Sequence, residues 1–119
     1  MATSPEELRQ RTKQFTMRAI RLFRALPRTE EARIIGRQLL RAATSVAANY
    51  RAVCRARSRP DFIAKMGVVL EEADESLFWF EMLGDAEIVE KARLVPLMEE
   101  AEELIRIFNS SIQTSRRKY

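Results

Sequence analysis

The strongest constraint on the fold of this chain is the rhythm of its apolar residues. They recur every three or four positions along most of its length, and the recurrence is interrupted at three places: Pro27, Ser58-Arg59-Pro60-Asp61 and Gly84-Asp85. A period near 3.6 buries one face of a helix, whereas a half-buried strand alternates every two residues. With three Gly and four Pro in 119 residues, little turn-forming material exists outside those breaks. No strand pattern and no solenoid-type repeat is visible.

Four helices follow. Helix 1 is predicted over 5–26. Ser4 offers an oxygen to the free amides at the start, Pro5 suits the first helical position, and Glu7 completes a capping box. Leu8, Phe15, Ala19, Leu22, Phe23 and Leu26 form its apolar stripe. Helix 2 is predicted over 30–57 with Thr29 as cap, burying Ile35, Leu39, Ala42, Ala43, Val46, Tyr50, Val53 and Cys54. Gly36 inside it weakens the helix by roughly 1 kcal/mol relative to Ala. Helix 3, over 60–83, opens at Ser58 and Pro60 and buries Phe62, Met66, Val69, Leu70, Ala73, Leu77 and Phe80, with Gly84 as a left-handed stop. Helix 4, over 86–114, is expected to be capped by Asp85 and to be kinked or split at Pro96. Its apolar face runs from Leu94 through Leu97, Met98, Ala101, Leu104, Ile105 and Phe108 to Ile112. Residues 115–119 read as a basic tail. Short connections make consecutive helices antiparallel, so the expectation is an all-α, single-domain, up-down-up-down four-helix bundle over 1–119.

Composition removes whole classes of chemistry. There is no histidine, which excludes His general acid–base catalysis, Ser-His and Cys-His nucleophile pairs, and the Glu-x-x-His iron sites of many bundles. One cysteine, Cys54, forms no internal disulfide framework and reads as a small buried hydrophobe. No 18-residue apolar run and no apolar leader is present. The expectation is a cytoplasmic, non-catalytic protein without cofactor, metal or membrane partner.

Charge then points to partners. Residues 1–59 hold 14 Lys/Arg and 4 Asp/Glu, and residues 60–119 hold 7 and 13. Much of the basic excess is one ridge. Arg33, Arg37, Arg41, Arg51, Arg55 and Arg59 fall within an arc of about 80° on a helical wheel, opposite the core stripe. Continued as one helix, they span roughly 39 Å. No acid lies between Ala32 and Pro60, and arginine's planar fork matches phosphate or carboxylate. The ridge fits the backbone of RNA or DNA, without base reading. It fits equally the acids of Glu71-Glu72-x-Asp74-Glu75 or Glu99-Glu100-x-Glu102-Glu103, in the same or a neighbouring subunit. No aromatic side chains interleave with it, so base stacking is absent. Ser45 and Asn49, at the edge of the core face, suggest an interhelical hydrogen bond.

Leu77-Phe78-Trp79-Phe80-Glu81-Met82-Leu83 is apolar at six of seven positions, more than a one-sided helix requires. Val68, Phe78, Trp79 and Met82 are therefore candidates for a contact between subunits.

Two stretches, Ser45–Ala52 and Arg55–Lys65, carry an Ala-Asn followed by Arg-Ser-x-x-Asp-Phe, matched here by Ala48, Asn49, Arg57, Ser58, Asp61 and Phe62. This resembles the bacterial four helix bundle protein family, also called 23S rRNA-intervening sequence proteins, and Glu71–Glu81 is similar to one branch of it. Many members have Glu-Gly where Ala52-Val53 stands here. The resemblance implies an antiparallel four-helix bundle assembled as a homopentamer. It also implies a distant relation to accessory variability determinant proteins of retroelements, which bind nucleic acid and a reverse transcriptase.

Overall fold

The computed structural model describes residues 3–117, so the last two residues of the expected basic tail lie outside the described residues. The chain forms α1 (Pro5–Ala25), α2 (Glu30–Val53), α3 (Arg59–Asp85) and α4 (Lys91–Arg117). Successive helices pack side by side, and α4 closes back on α1 through a sparser seam. The result is an all-α four-helix bundle of 50 × 23 × 20 Å.

Local chemistry sets three of the four starts as the sequence predicts. Ser4 accepts from the Glu7 amide at 3.1 Å, Thr29 from the Ala32 amide at 3.3 Å, and Ser58 from the Asp61 amide at 3.1 Å. Each supplies an oxygen to an amide that has no partner within its helix.

The helix ends differ from expectation. Helix 2 stops at Val53, four residues before Arg57. Asp61 accepts from the Arg57 amide at 3.1 Å, and the Val53 carbonyl accepts from Ala56. The amide that would have continued α2 is thus taken by the next helix. Cys54 consequently lies at the C-cap and is exposed, not buried.

Helix 3 continues to Asp85, so Asp85 does not cap helix 4, which begins at Lys91. Gly84 is helical, and the left-handed residue is Glu87, at φ 59°. The physical requirement at Gly84 is closeness: a Cβ there would sit 3.1 Å from Leu94 Cδ1, where α4 turns back over α3. Pro96 does not split α4. It lies in the second turn, where the carbonyl it leaves unbonded belongs to exposed Ala92 and is open to water.

In the core, both diagonals of the bundle meet. Phe15 of α1 meets Phe80 of α3 edge-on at 6.0 Å, and Tyr50 of α2 stacks on Phe108 of α4 at 5.9 Å. Two close approaches mark the α1–α2 seam. Thr16 donates to the Ala43 carbonyl at 2.8 Å, and a Cβ on Gly36 would fall 2.7 Å from Leu26 Cδ1. Gly36 lets the Leu26 and Phe23 side chains close onto α2 where a Cβ would make them shift.

Candidate nucleic-acid interface

Arg33, Arg37, Arg41 and Arg51 lie exposed on α2, Arg55 lies in the turn after it, and half-buried Arg59 opens α3. Because α2 ends early, the ridge is not one 39 Å line. Its helical part, Arg33 to Arg51, spans about 27 Å at 1.5 Å per residue.

The ridge is also divided chemically. Arg41 pairs with Glu75 and, at 3.4 Å, with Glu72, both on α3. At this position the acids of the first cluster serve as counter-charge within the chain. The second acidic cluster engages α1. Glu100 takes Arg11 of α1 in a two-pronged contact at 2.6 and 3.1 Å, with Glu103 at 3.2 Å, and these pairs tie the α1–α4 seam.

Arg33 lines a small hollow with Arg24 and Arg28 at the α1–α2 turn. At the other end of α2, Arg51 and Arg55 stand between two larger grooves. One, of about 580 Å³, lies between α1 and α2 and is lined by Arg9 and Lys13. The other, of about 670 Å³, lies between α2 and α3 and is lined by Arg57 and Lys65. Both share Ala48, Arg51 and Arg55, with Ala47 and Ala52 beside them. The small floor leaves room for a bulky ligand among long cationic side chains.

Antiparallel pairing explains why these residues meet. The start of α1, the end of α2 and the start of α3 share one end of the bundle. Arg9, Lys13, Arg57 and Lys65 were missed from sequence, although Arg9 and Lys13 one turn apart on helix 1 were a legible signal.

Two carboxylates sit at the outer walls. Glu6 pairs with Arg9, which holds its carboxyl below the usual carboxylate range and raises the Arg9 guanidinium in turn. Asp61 is held low by the Lys65 ammonium at 2.8 Å and by the Arg57 amide. Both stay ionised at neutral pH. Among the described residues no carboxylate lies within ion-pair distance of Lys13, Arg51 or Arg55. The grooves therefore keep a cationic excess.

The proposed subunit-contact residues divide. Val68 and Phe78 are 43 and 47% exposed, whereas Trp79 and Met82 are half-buried. The Trp79 indole donates to Glu75 one turn back in α3 at 3.0 Å, and Phe78 packs edge-on against it at 4.8 Å. Asn49 donates to the Ser45 carbonyl one turn back in α2, in place of an interhelical bond. Among the described residues there is no cluster of metal-ligating side chains, and no helix is long and apolar enough to cross a membrane.

The sequence pattern of the 23S rRNA-intervening sequence protein family matches residues 6–110. The chain belongs to that family. A structural relative agrees: a crystal structure of a protein with unknown function from the S23 ribosomal protein family of Bacteroides thetaiotaomicron. It superimposes with a TM-score of 0.85 at 28% identity, covering 92% of this chain and 97% of that one. No curated protein matches the chain significantly. Within the family match lie both basic grooves and the Arg41 ion pairs.

Proposed function

We propose that this family member is a non-catalytic, self-associating protein that binds the backbone of RNA or DNA at the basic end of the bundle. The supporting observation is the convergence of Arg51 and Arg55 with Arg9 and Lys13 on one side and Arg57 and Lys65 on the other, over an alanine floor. Arginine forks and lysine points suit phosphate oxygens. The absence of stacking aromatics from both groove linings favours backbone contact over base reading. Arg33 and Arg37 extend the track along α2, and Arg41 is withheld by Glu72 and Glu75. The family's name accords with an RNA-linked role in the cytoplasm, and the homopentamer implied by the resemblance would repeat the grooves around a ring.

The test is fluorescence anisotropy with labelled RNA and DNA over a salt series. Affinity should fall linearly on logarithmic axes, and Arg51→Ala/Arg55→Ala should flatten the slope by about 1.4–1.8, for two lost phosphate contacts. Salt-independent binding, or an unchanged slope in that variant, would overturn the proposal.

A second reading has one observation of its own. Arg41 already meets carboxylates of α3, so the α2 face accepts acidic helices, and it could dock on an acidic partner protein or subunit. Charge reversal at Arg33 and Arg37 would then alter sedimentation and leave nucleic-acid retention unchanged.

A further inference from the structure

α1 and α3 occupy opposite corners of the bundle, each packed between α2 and α4, so their outward faces point to opposite sides. On α1, Met17 lies about 180° from the Leu8–Phe15–Ala19–Leu22 stripe and is 44% exposed. Arg21 and Arg24 follow it one and two turns on, both exposed, and no acid occurs between Arg9 and Arg28. On α3 the same design appears with opposite sign. Phe78 is 47% exposed, exposed Asp74 and Glu81 stand one turn either side of it, and no Lys or Arg occurs between Met66 and Glu90. Among the described residues none of Arg21, Arg24, Asp74 and Glu81 has an ion-pair partner within the chain.

We propose that the outward face of α1 docks on the outward face of α3 of a second copy of this chain. The Met17 thioether packs on the Phe78 ring, a favourable sulfur–aromatic contact. With those two in register, Arg21 comes level with Glu81 when the helices run parallel and with Asp74 when they run antiparallel. Either orientation pairs the charges. The two faces differ and point apart, so the contact is head-to-tail. A pair leaves one face of each copy open, and association continues to a ring or filament in place of a closed two-fold dimer. This inference rests on the self-association proposed above and not on the phosphate contacts, since Arg21, Arg24, Asp74 and Glu81 line neither basic groove.

Sedimentation velocity on the full chain tests it, with far-UV circular dichroism as a check of folding. The unmodified chain should sediment as a species larger than a dimer. Arg21→Glu/Arg24→Glu and Asp74→Lys/Glu81→Lys should each lose association more than about a hundredfold, because like charges then face each other. Mixed in equal amounts, the two variants should reassemble, since each reversed face complements the other. Should charge reversal impair folding, Phe78→Ser changes only an exposed side chain and should also give a monomer. A monomeric unmodified chain would overturn the self-association itself. Unmodified assembly that persists in either variant, or a mixture that stays monomeric, would overturn this interface alone. Arg51→Ala/Arg55→Ala should assemble normally while binding nucleic acid more weakly and with a flatter salt slope.

Discussion

Replacing Glu72 and Glu75 by Gln should make the protein bind nucleic acid more tightly. In the folded chain the Arg41 guanidinium is engaged by both carboxylates, and the Trp79 indole donates to Glu75 as well. The amides keep shape and volume but remove the charges that hold Arg41 against α3. Arg41 lies on the same α2 face as Arg33, Arg37 and Arg51, and once released it adds one phosphate contact to the track. One added contact steepens the salt slope by about 0.9 for a duplex and 0.7 for a single strand. At 0.1 M salt those slopes correspond to gains of about eightfold and fivefold. The stability cost is small. Arg41 and Glu75 are partly exposed, so each pair contributes at most about 1 kcal/mol. The assay is anisotropy over a salt series, with the same substitutions repeated in an Arg41→Ala background. The acids' general repulsion of phosphate is common to both backgrounds and cancels in this comparison, whereas the released contact does not. No gain, or an equal gain in both backgrounds, would refute the claim that α3 withholds Arg41.

Four further outcomes follow from the fold. The Asp61 carboxyl is lowered by Lys65 and the Arg57 amide, and the Glu75 carboxyl by Trp79 and Arg41. Depressed carboxylates stabilise the fold above their unfolded pKa and lose that contribution as pH falls through the folded value. Thermal melts should therefore decline below about pH 4, and less steeply in Asp61→Asn. Ser58→Ala should cost about 1 kcal/mol by removing the α3 cap, read as a fall in urea midpoint at constant slope. Phe80→Ala should cost about 3–5 kcal/mol, since the ring is fully buried against Phe15, whereas Gly36→Val should cost about 1–3 kcal/mol by forcing Phe23 and Leu26 away from α2. Denaturant titration separates these last two from an exposed control such as Gln14→Ala.

Helix number, order and core faces were legible in the sequence because they depend on local periodicity and on caps within a few residues of the helices they start. Ser4, Thr29 and Ser58 act as expected for that reason. The helix ends were less legible. Whether Arg57 continues α2 depends on Asp61 reaching back from the next helix, which is not a property of α2 itself. Helix 3 runs past Gly84 and turns at left-handed Glu87, where the Ile88 amide donates to the Leu83 carbonyl.

The same division holds for the functional surface. The sequence by itself determined that α2 carries arginines opposite its core, and that acids gather in the second half of the chain. Only the tertiary structure decided which arginines remain available. Antiparallel packing sets Arg41 beside Glu72 and Glu75, Arg11 beside Glu100, and Arg9, Lys13 and Lys65 around Arg51 and Arg55. A charge's sign is fixed by its residue type. Whether it is neutralised or left to meet a ligand depends on residues tens of positions away that folding brings within a few ångströms.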